Sequence, residues 1–119
     1  MDRFEPAIAI TGTAAISAAG IGSKPALEAL TSGTSCLKPI PDDLAAGTIG
    51  HCWGRADQFK VTDFIPPLKA RKLDRASQFA VAAAGMALAD AGLVKGAFQS
   101  DRIGIALGSG FGGIANASE

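Results

Sequence analysis

Asp74-Arg75-Ala76-Ser77-Gln78-Phe79-Ala80-Val81-Ala82-Ala83-Ala84-Gly85-Met86-Ala87-Leu88-Ala89-Asp90-Ala91-Gly92 carries the strongest helical signal in the chain. Asp74 is a good N-cap, because its carboxylate can accept from the free amides of the first turn. Arg75 to Ala91 follows with Gly85 as the only breaker, and Gly92 stands where a C′ glycine belongs. From Phe79 to Ala89 no residue is charged, so no face of the helix is suited to water. A helix that is apolar all round has to be covered on all sides. Its alanines and Gly85 let neighbours come close. The pattern predicts a helix in the middle layer of a larger molecule rather than one on the flank of a 119-residue domain.

Downstream, Asp101-Arg102 leads into Ile103-Gly104-Ile105-Ala106-Leu107, which reads as a short buried strand. It runs into Gly108-Ser109-Gly110-Phe111-Gly112-Gly113, a bend whose one bulky side chain is Phe111. Glycine serves where a backbone takes positive φ or where another group approaches closely. Gly108, Gly110 and Gly113 fit G-x-G-x-x-G, which raises a phosphate cradle. That motif needs a helix after the glycines and an acidic residue about 20 positions on, and the sequence stops at Glu119 before either is complete. Gly12 to Gly22 offers a second glycine-containing loop, but Thr11-Gly12 and Gly20-Ile21-Gly22 lie too far apart for the tight turn of a dinucleotide site.

Upstream, Ala7-Ile8-Ala9-Ile10-Thr11 reads as a buried strand closed by Gly12, and Thr13 to Gly22 as a flexible loop of small residues. Ser23-Lys24-Pro25 opens a second helix, since proline suits a first turn. Leu27, Leu30 and Thr31 share its face, and Gly33 ends it. Lys38 to Ala46, with Pro39, Pro41, Asp42 and Asp43, is a loop by composition. A short extended piece is expected around Ile49 to Gly54, and Pro66-Pro67 breaks the mixed segment from Asp57 to Leu68.

Hydrophobic residues make up 48% and charged residues 18%, which is apolar for a small soluble domain with much surface to cover. Eleven basic and eleven acidic residues cancel. Without a basic stripe interleaved with aromatics, nucleic acid is not an expected partner, and balanced charge gives no reason to invoke a membrane surface. No apolar run approaches the ~20 residues of a membrane span. Ala7 to Ala19 mimics a signal-peptide core, but Asp2, Arg3 and Glu5 spoil the positive start it needs. Cys36 and Cys52 do not form a disulfide framework by count or spacing, so free thiols in a reducing cytoplasm are expected.

Neither a metal site nor a cofactor is indicated. His51-Cys52 with Cys36 upstream supplies one histidine and two cysteines, with no second pair at ligand spacing. Neither cysteine lies on a strand-to-helix elbow where a thiolate would be activated. Arg71-Lys72 with Asp74-Arg75 is read as a solvated charge cluster, in which an i,i+3 pair is worth a few tenths of a kcal/mol.

Taken in order, the segments resemble one family. Ile8-Ala9-Ile10-Thr11-Gly12 with Gly20-Ile21-Gly22 resembles the opening of β-ketoacyl-[acyl-carrier-protein] synthases, the elongating ketosynthases of the thiolase superfamily. Leu30-Thr31-Ser32-Gly33-Thr34-Ser35 is similar to their L-x-x-G-x-S step. Arg71-Lys72-Leu73-Asp74-Arg75, Ala83 and Ala87-Leu88-Ala89-Asp90-Ala91-Gly92-Leu93 resemble their central N-terminal helix. Arg102-Ile103-Gly104 through Gly113 resembles the strand and loop that follow.

The resemblance implies an α/β, thiolase-like layered αβαβα fold, with a mixed sheet and a buried central helix. Residues 1–119 would be an incomplete N-terminal segment of that domain, roughly its first quarter. It implies decarboxylative Claisen condensation of an acyl thioester with malonyl on a carrier protein, in fatty-acid or polyketide synthesis. The expected partners are acyl carrier protein and a second ketosynthase subunit, identical or different. The family's catalytic cysteine and two histidines lie beyond the point matching Glu119. Cys36, His51 and Cys52 do not occupy those positions, so no catalytic residue is assigned here and the chain alone is expected to be inactive. Phe111 falls where many of these synthases place isoleucine or a smaller residue at the acyl-pocket entrance. With Gly110 and Gly112 it is the expected substrate-binding site. Two alternatives stand beside this reading: a non-catalytic partner of the chain-length-factor kind, and a small nucleotide- or phosphate-binding module.

Overall fold

The computed structural model describes residues 7–45, 47, 49–93, 96, 99–110 and 112. Among the described residues there are two short antiparallel strand pairs and four α-helices. Ile16–Ser17 (β1) pairs with Gly20–Ile21 (β2), Ile16 opposite Ile21 and Ser17 opposite Gly20. The stretch expected to be a flexible loop thus contains a tight turn, and the Gly22 amide extends it by donating to the Ala15 carbonyl at 2.8 Å. Ser23–Ser32 (α1) follows. Its N-cap is Gly22, with no side-chain cap, and Gly33 closes it at φ 67° in the left-handed region. Lys38–Pro39 (β3) pairs with Cys52–Trp53 (β4), and a short helix, Asp42–Ala45 (α2), lies in the excursion between them. A 3-10 turn at Val61–Asp63 leads to Pro67–Ala70 (α3), which Pro67 starts from its favoured first position.

The long helix spans Arg75–Asp90 (α4). Asp74 caps it as expected: its Oδ1 accepts from the Ser77 amide at 2.7 Å and its Oδ2 from the Ser77 hydroxyl at 3.2 Å. At the other end Gly92 has φ 68°, and the Leu93 amide donates back to the Leu88 carbonyl at 2.9 Å. This is the 6→1 bond of a Schellman ending. The Gln78 side-chain amide donates to the Ala70 and Leu73 carbonyls at 3.1 and 3.0 Å, tying α4 to the end of α3.

Among the described residues the core is four buried apolar side chains, Phe59, Ile65, Ala70 and Ala82. Phe59 is its centre. Its ring stacks on Phe64 at 5.6 Å and meets Phe79 edge-on at 4.8 Å. The Arg75 guanidinium lies 4.9 Å from the Phe59 ring and 4.5 Å from the Phe79 ring. This cluster fastens the segment before α3 to the first turns of α4.

Two features of the layered arrangement are not seen among the described residues. No mixed sheet forms among the described residues, and neither Ala7–Thr11 nor Ile103–Leu107 joins a ladder; Ser100–Arg102 instead makes a single 3-10 turn. A strand makes no hydrogen bonds to itself, so an apolar run stays out of a ladder until a neighbouring strand pairs with it. Ile8 is accordingly 97% exposed and Ile105 93%. Nor is α4 covered all round. Ala82 is its one buried residue, while Val81, Ala84, Gly85, Leu88 and Ala89 form an exposed stripe at i, i+3, i+4, i+7 and i+8. The described residues cover only one side of a helix that needs covering on every side.

The accessible surface, 10115 Å², exceeds the roughly 6,000 Å² of a compact protein of this mass. The radius of gyration, 18.1 Å, exceeds the about 13–14 Å of a compact chain of this length. Such apolar exposure is rarely tolerated in a soluble monomer. Residues 1–119 expressed alone should therefore self-associate. A monomeric species with a well-dispersed amide spectrum would overturn that expectation. Among the described residues, no helix is long and apolar enough to cross a membrane.

Candidate functional site

Between Leu93 and Gly112 the chain returns from the C-terminal end of α4 to its N-terminal end. A Cβ placed on Gly112 would stand 3.4 Å from the Ala76 Cβ, in the first turn of α4. The Gly112 amide donates to the Ser109 hydroxyl at 2.9 Å, closing the bend on itself. The same Cβ would fall 2.5 Å from that hydroxyl oxygen, so a side chain at 112 would require the Ser109 hydroxyl to turn away. Gly104, Gly108 and Gly110 differ: none has φ in the left-handed region, and a Cβ on any of them would meet nothing within 4 Å. Their own backbone does not require glycine, and the space beside them is open. Phe111, the residue singled out in the sequence, lies outside the described residues, as does Gly113.

The phosphate reading of this bend loses support. The helix terminus beside Gly112 is that of α4, and the Asp74 carboxylate already stands there, accepting from the Ser77 amide. A second anion there would face like charge where the helix dipole is already satisfied.

The other candidate side chains are not gathered into a site. Cys36 is half-buried, and its Sγ lies 3.9 Å from the Thr34 carbonyl. Cys52 is exposed on β4, opposite Pro39. The imidazole-bearing His51 is exposed, and its carbonyl accepts from the Ile40 amide at 3.0 Å. Among the described residues no hydrogen bond joins either cysteine to His51, and no three histidine, cysteine, aspartate or glutamate side chains are grouped to hold a metal.

Arg75, read in the sequence as part of a solvated cluster, does more than that. Besides stacking on two phenyl rings, it donates weakly to the Ala56 carbonyl at 3.4 Å. With Gly54, Arg55, Ala56, Asp57 and Phe79 it lines an open depression of about 510 Å³. Arg55 there is held by Asp57 at 3.0 Å and by the Trp53 ring at 4.8 Å. Ser109 and Gly112 carry a sequence signal of their own, beyond the glycine count: serine at the first position and glycine at the fourth is a turn composition.

Residues 5–119 match the family model described as the beta-ketoacyl synthase N-terminal domain. The chain belongs to the β-ketoacyl synthase family. Among curated relatives, it is 39% identical over 102 residues to a protein of Streptomyces violaceoruber named for granaticin polyketide β-ketoacyl synthesis, covering 86% of this chain and 24% of that protein. It is 31% identical over 107 residues to a 3-oxoacyl-[acyl-carrier-protein] synthase 2 of Synechocystis, covering 90% of this chain and 26% of the relative. The like-named protein of Staphylococcus aureus is 34% identical over the same length and shares. The chain thus spans about a quarter of the length of the curated relatives it matches. No solved structure matches it at a comparable level.

Proposed function

We propose that residues 1–119 are the N-terminal segment of a β-ketoacyl-acyl carrier protein synthase that joins an acyl group to malonyl in fatty-acid or polyketide synthesis. The observation that carries this reading is the family match over residues 5–119, beside relatives named for granaticin polyketide and as 3-oxoacyl-[acyl-carrier-protein] synthases. The uncovered apolar stripe of α4 supports the layered part of the reading. In a thiolase-like αβαβα arrangement, polypeptide beyond this segment would lie against Val81, Gly85 and Leu88, and further strands would pair with residues 7–11 and 103–107. The partners are then acyl carrier protein and a second ketosynthase subunit, and the setting is the cytoplasm.

In that reaction the acyl group is held as a thioester on a cysteine supplied by the rest of the polypeptide. Loss of carbon dioxide from malonyl leaves a carbanion, which attacks the thioester carbonyl. A carbon–carbon bond forms as the carbon–sulfur bond breaks, and the thiolate leaves. This segment contributes the wall of the acyl site, with Gly110, Phe111 and Gly112 beside the acyl chain. The openness around Gly108 and Gly110 suits a backbone that a substrate has to approach.

A phenyl ring at position 111 narrows the entrance and favours short or unusual primers over long saturated chains. In the complete polypeptide, Phe111→Ile should shift the ratio of kcat/KM between long and short primers by about tenfold or more, the scale of pocket discrimination by a methylene or two. An unchanged ratio would remove Phe111 from the acyl entrance. A complete polypeptide that forms no acyl-enzyme and condenses nothing would instead be a non-catalytic partner subunit.

A further inference from the structure

Two guanidinium groups meet at one depression, and neither is fully engaged. The hollow beside the first turns of α4 has a volume of about 510 Å³, and Arg55, Asp57, Arg75 and Phe79 are among its walls. Arg75 lies over the Phe59 and Phe79 rings at 4.9 and 4.5 Å, and Arg55 over the Trp53 ring at 4.8 Å. The rings limit where each cation can move and take none of its N–H donors. A guanidinium carries five such donors in a planar fork. Arg75 uses one in a long bond to the Ala56 carbonyl at 3.4 Å, and Arg55 gives its Nε to Asp57 at 3.0 Å. Asp57 also lies 3.6 Å from Lys38, so that carboxylate is shared between two cations. Among the described residues no carboxylate pairs with Arg75. Asp74, its neighbour in sequence, turns both oxygens to Ser77. The depression therefore has donors to spare and positive charge left unmatched.

We propose that this depression binds a phosphate group, held jointly by Arg75 and Arg55. A phosphate presents acceptor oxygens in more directions than a carboxylate and carries up to two negative charges at neutral pH. Planar forks held by aromatic stacking suit it, because they can donate in pairs. The site draws nothing from the α4 terminus, where Asp74 already stands. Its cations are what the glycine bend lacks, and they place an anion here rather than there. Both arginines are exposed, so the hold is sensitive to salt. The phosphate can be the free ion or the end of a small phosphate monoester, which offer the same oxygens. The proposal stands apart from the ketosynthase reading and does not need it.

The test titrates the complete polypeptide, as parent, Arg75→Lys and Arg55→Lys, with inorganic phosphate, glycerol 3-phosphate and acetate at constant ionic strength. Calorimetry reads the affinity. The indole N–H resonance of Trp53 reads the place, because Arg55 lies over that ring. Lysine keeps the charge and loses the fork. Phosphate binding should saturate, shift the Trp53 resonance and weaken about tenfold in each lysine variant, the scale of one lost charge-assisted hydrogen bond. Acetate should bind several-fold more weakly than phosphate. Absent saturation, an unmoved Trp53 resonance, unchanged affinity in either variant, or acetate as tight as phosphate each overturns the proposal. Glycerol 3-phosphate tighter than inorganic phosphate identifies a monoester as the ligand, and the reverse order identifies the free ion; either upholds the site. The Trp53 shift in the parent remains decisive where a variant folds poorly.

Discussion

Phe59→Ala should cost about 3–5 kcal/mol of folding stability, the usual range for deleting a buried phenyl ring. Phe59 is 5% exposed and sits where three other side chains converge. Its loss would open a cavity between Phe64 and Phe79, whose rings lie 5.6 and 4.8 Å away, and strip one of the two faces from Arg75. Each aromatic pair is worth about 0.5–1.5 kcal/mol beyond its buried area. An exposed cation–π contact adds about 0.5–1 kcal/mol. Arg75→Ala, which leaves the rings in place, should therefore cost only a fraction of the Phe59→Ala loss. The core of the described residues is small, so nothing else there can take over this role. Chemical denaturation of the complete polypeptide checks it. A Phe59→Ala cost below about 1.5 kcal/mol, the range of ordinary partly exposed sites, would mean that the cluster does not anchor α4.

Local chemistry is the legible part of this sequence. The Asp74 cap, the Gly92 ending and the Gly33 stop all emerge where the sequence places them, because each is settled by hydrogen bonds within a few residues. The all-apolar character of α4 is legible too, and its exposed stripe shows what that character implies when only one side is covered. Pairing is not legible. Ala7–Thr11 and Ile103–Leu107 have the composition of buried strands, but a ladder is made by the neighbour, and the pattern of one strand does not name its neighbour. The aromatic cluster is hidden for a similar reason. Phe59, stacked on Phe64, meets Phe79 across a turn and a short helix, at a separation where no periodicity links them. Ser109 is hidden among the glycines around it, although its hydroxyl accepts from the Gly112 amide. Gly12 reads as a strand terminator, whereas the packing gives it a stricter task.

Gly12→Val should destabilise the protein by about 3 kcal/mol or more, at or beyond the upper end of ordinary overpacking. Its φ is not in the left-handed region, so the requirement is one of space rather than torsion. A Cβ at Gly12 would collide with the Ala87 carbonyl oxygen and come within 2.5 Å of the Ala91 nitrogen and 2.7 Å of the Ala91 Cβ. The first two are backbone atoms of the last turn of α4, so the obstacle cannot rotate away. The next residue is tied to the same turn: the Thr13 amide donates to Asp90 Oδ2 at 2.8 Å, and the Thr13 hydroxyl lies 3.0 Å from that of Ser23 at the start of α1. Pushing the chain away at Gly12 would therefore break the joint that brings the first segment, α1 and α4 together. Gly12→Ala should already show part of the loss. Adding Ala91→Gly should not rescue Gly12→Val, since trimming that methyl leaves both backbone obstacles in place. Denaturation midpoints of the complete polypeptide decide it: a Gly12→Val midpoint equal to the parent's, or full rescue by Ala91→Gly, would mean that the first segment does not pack on the end of α4.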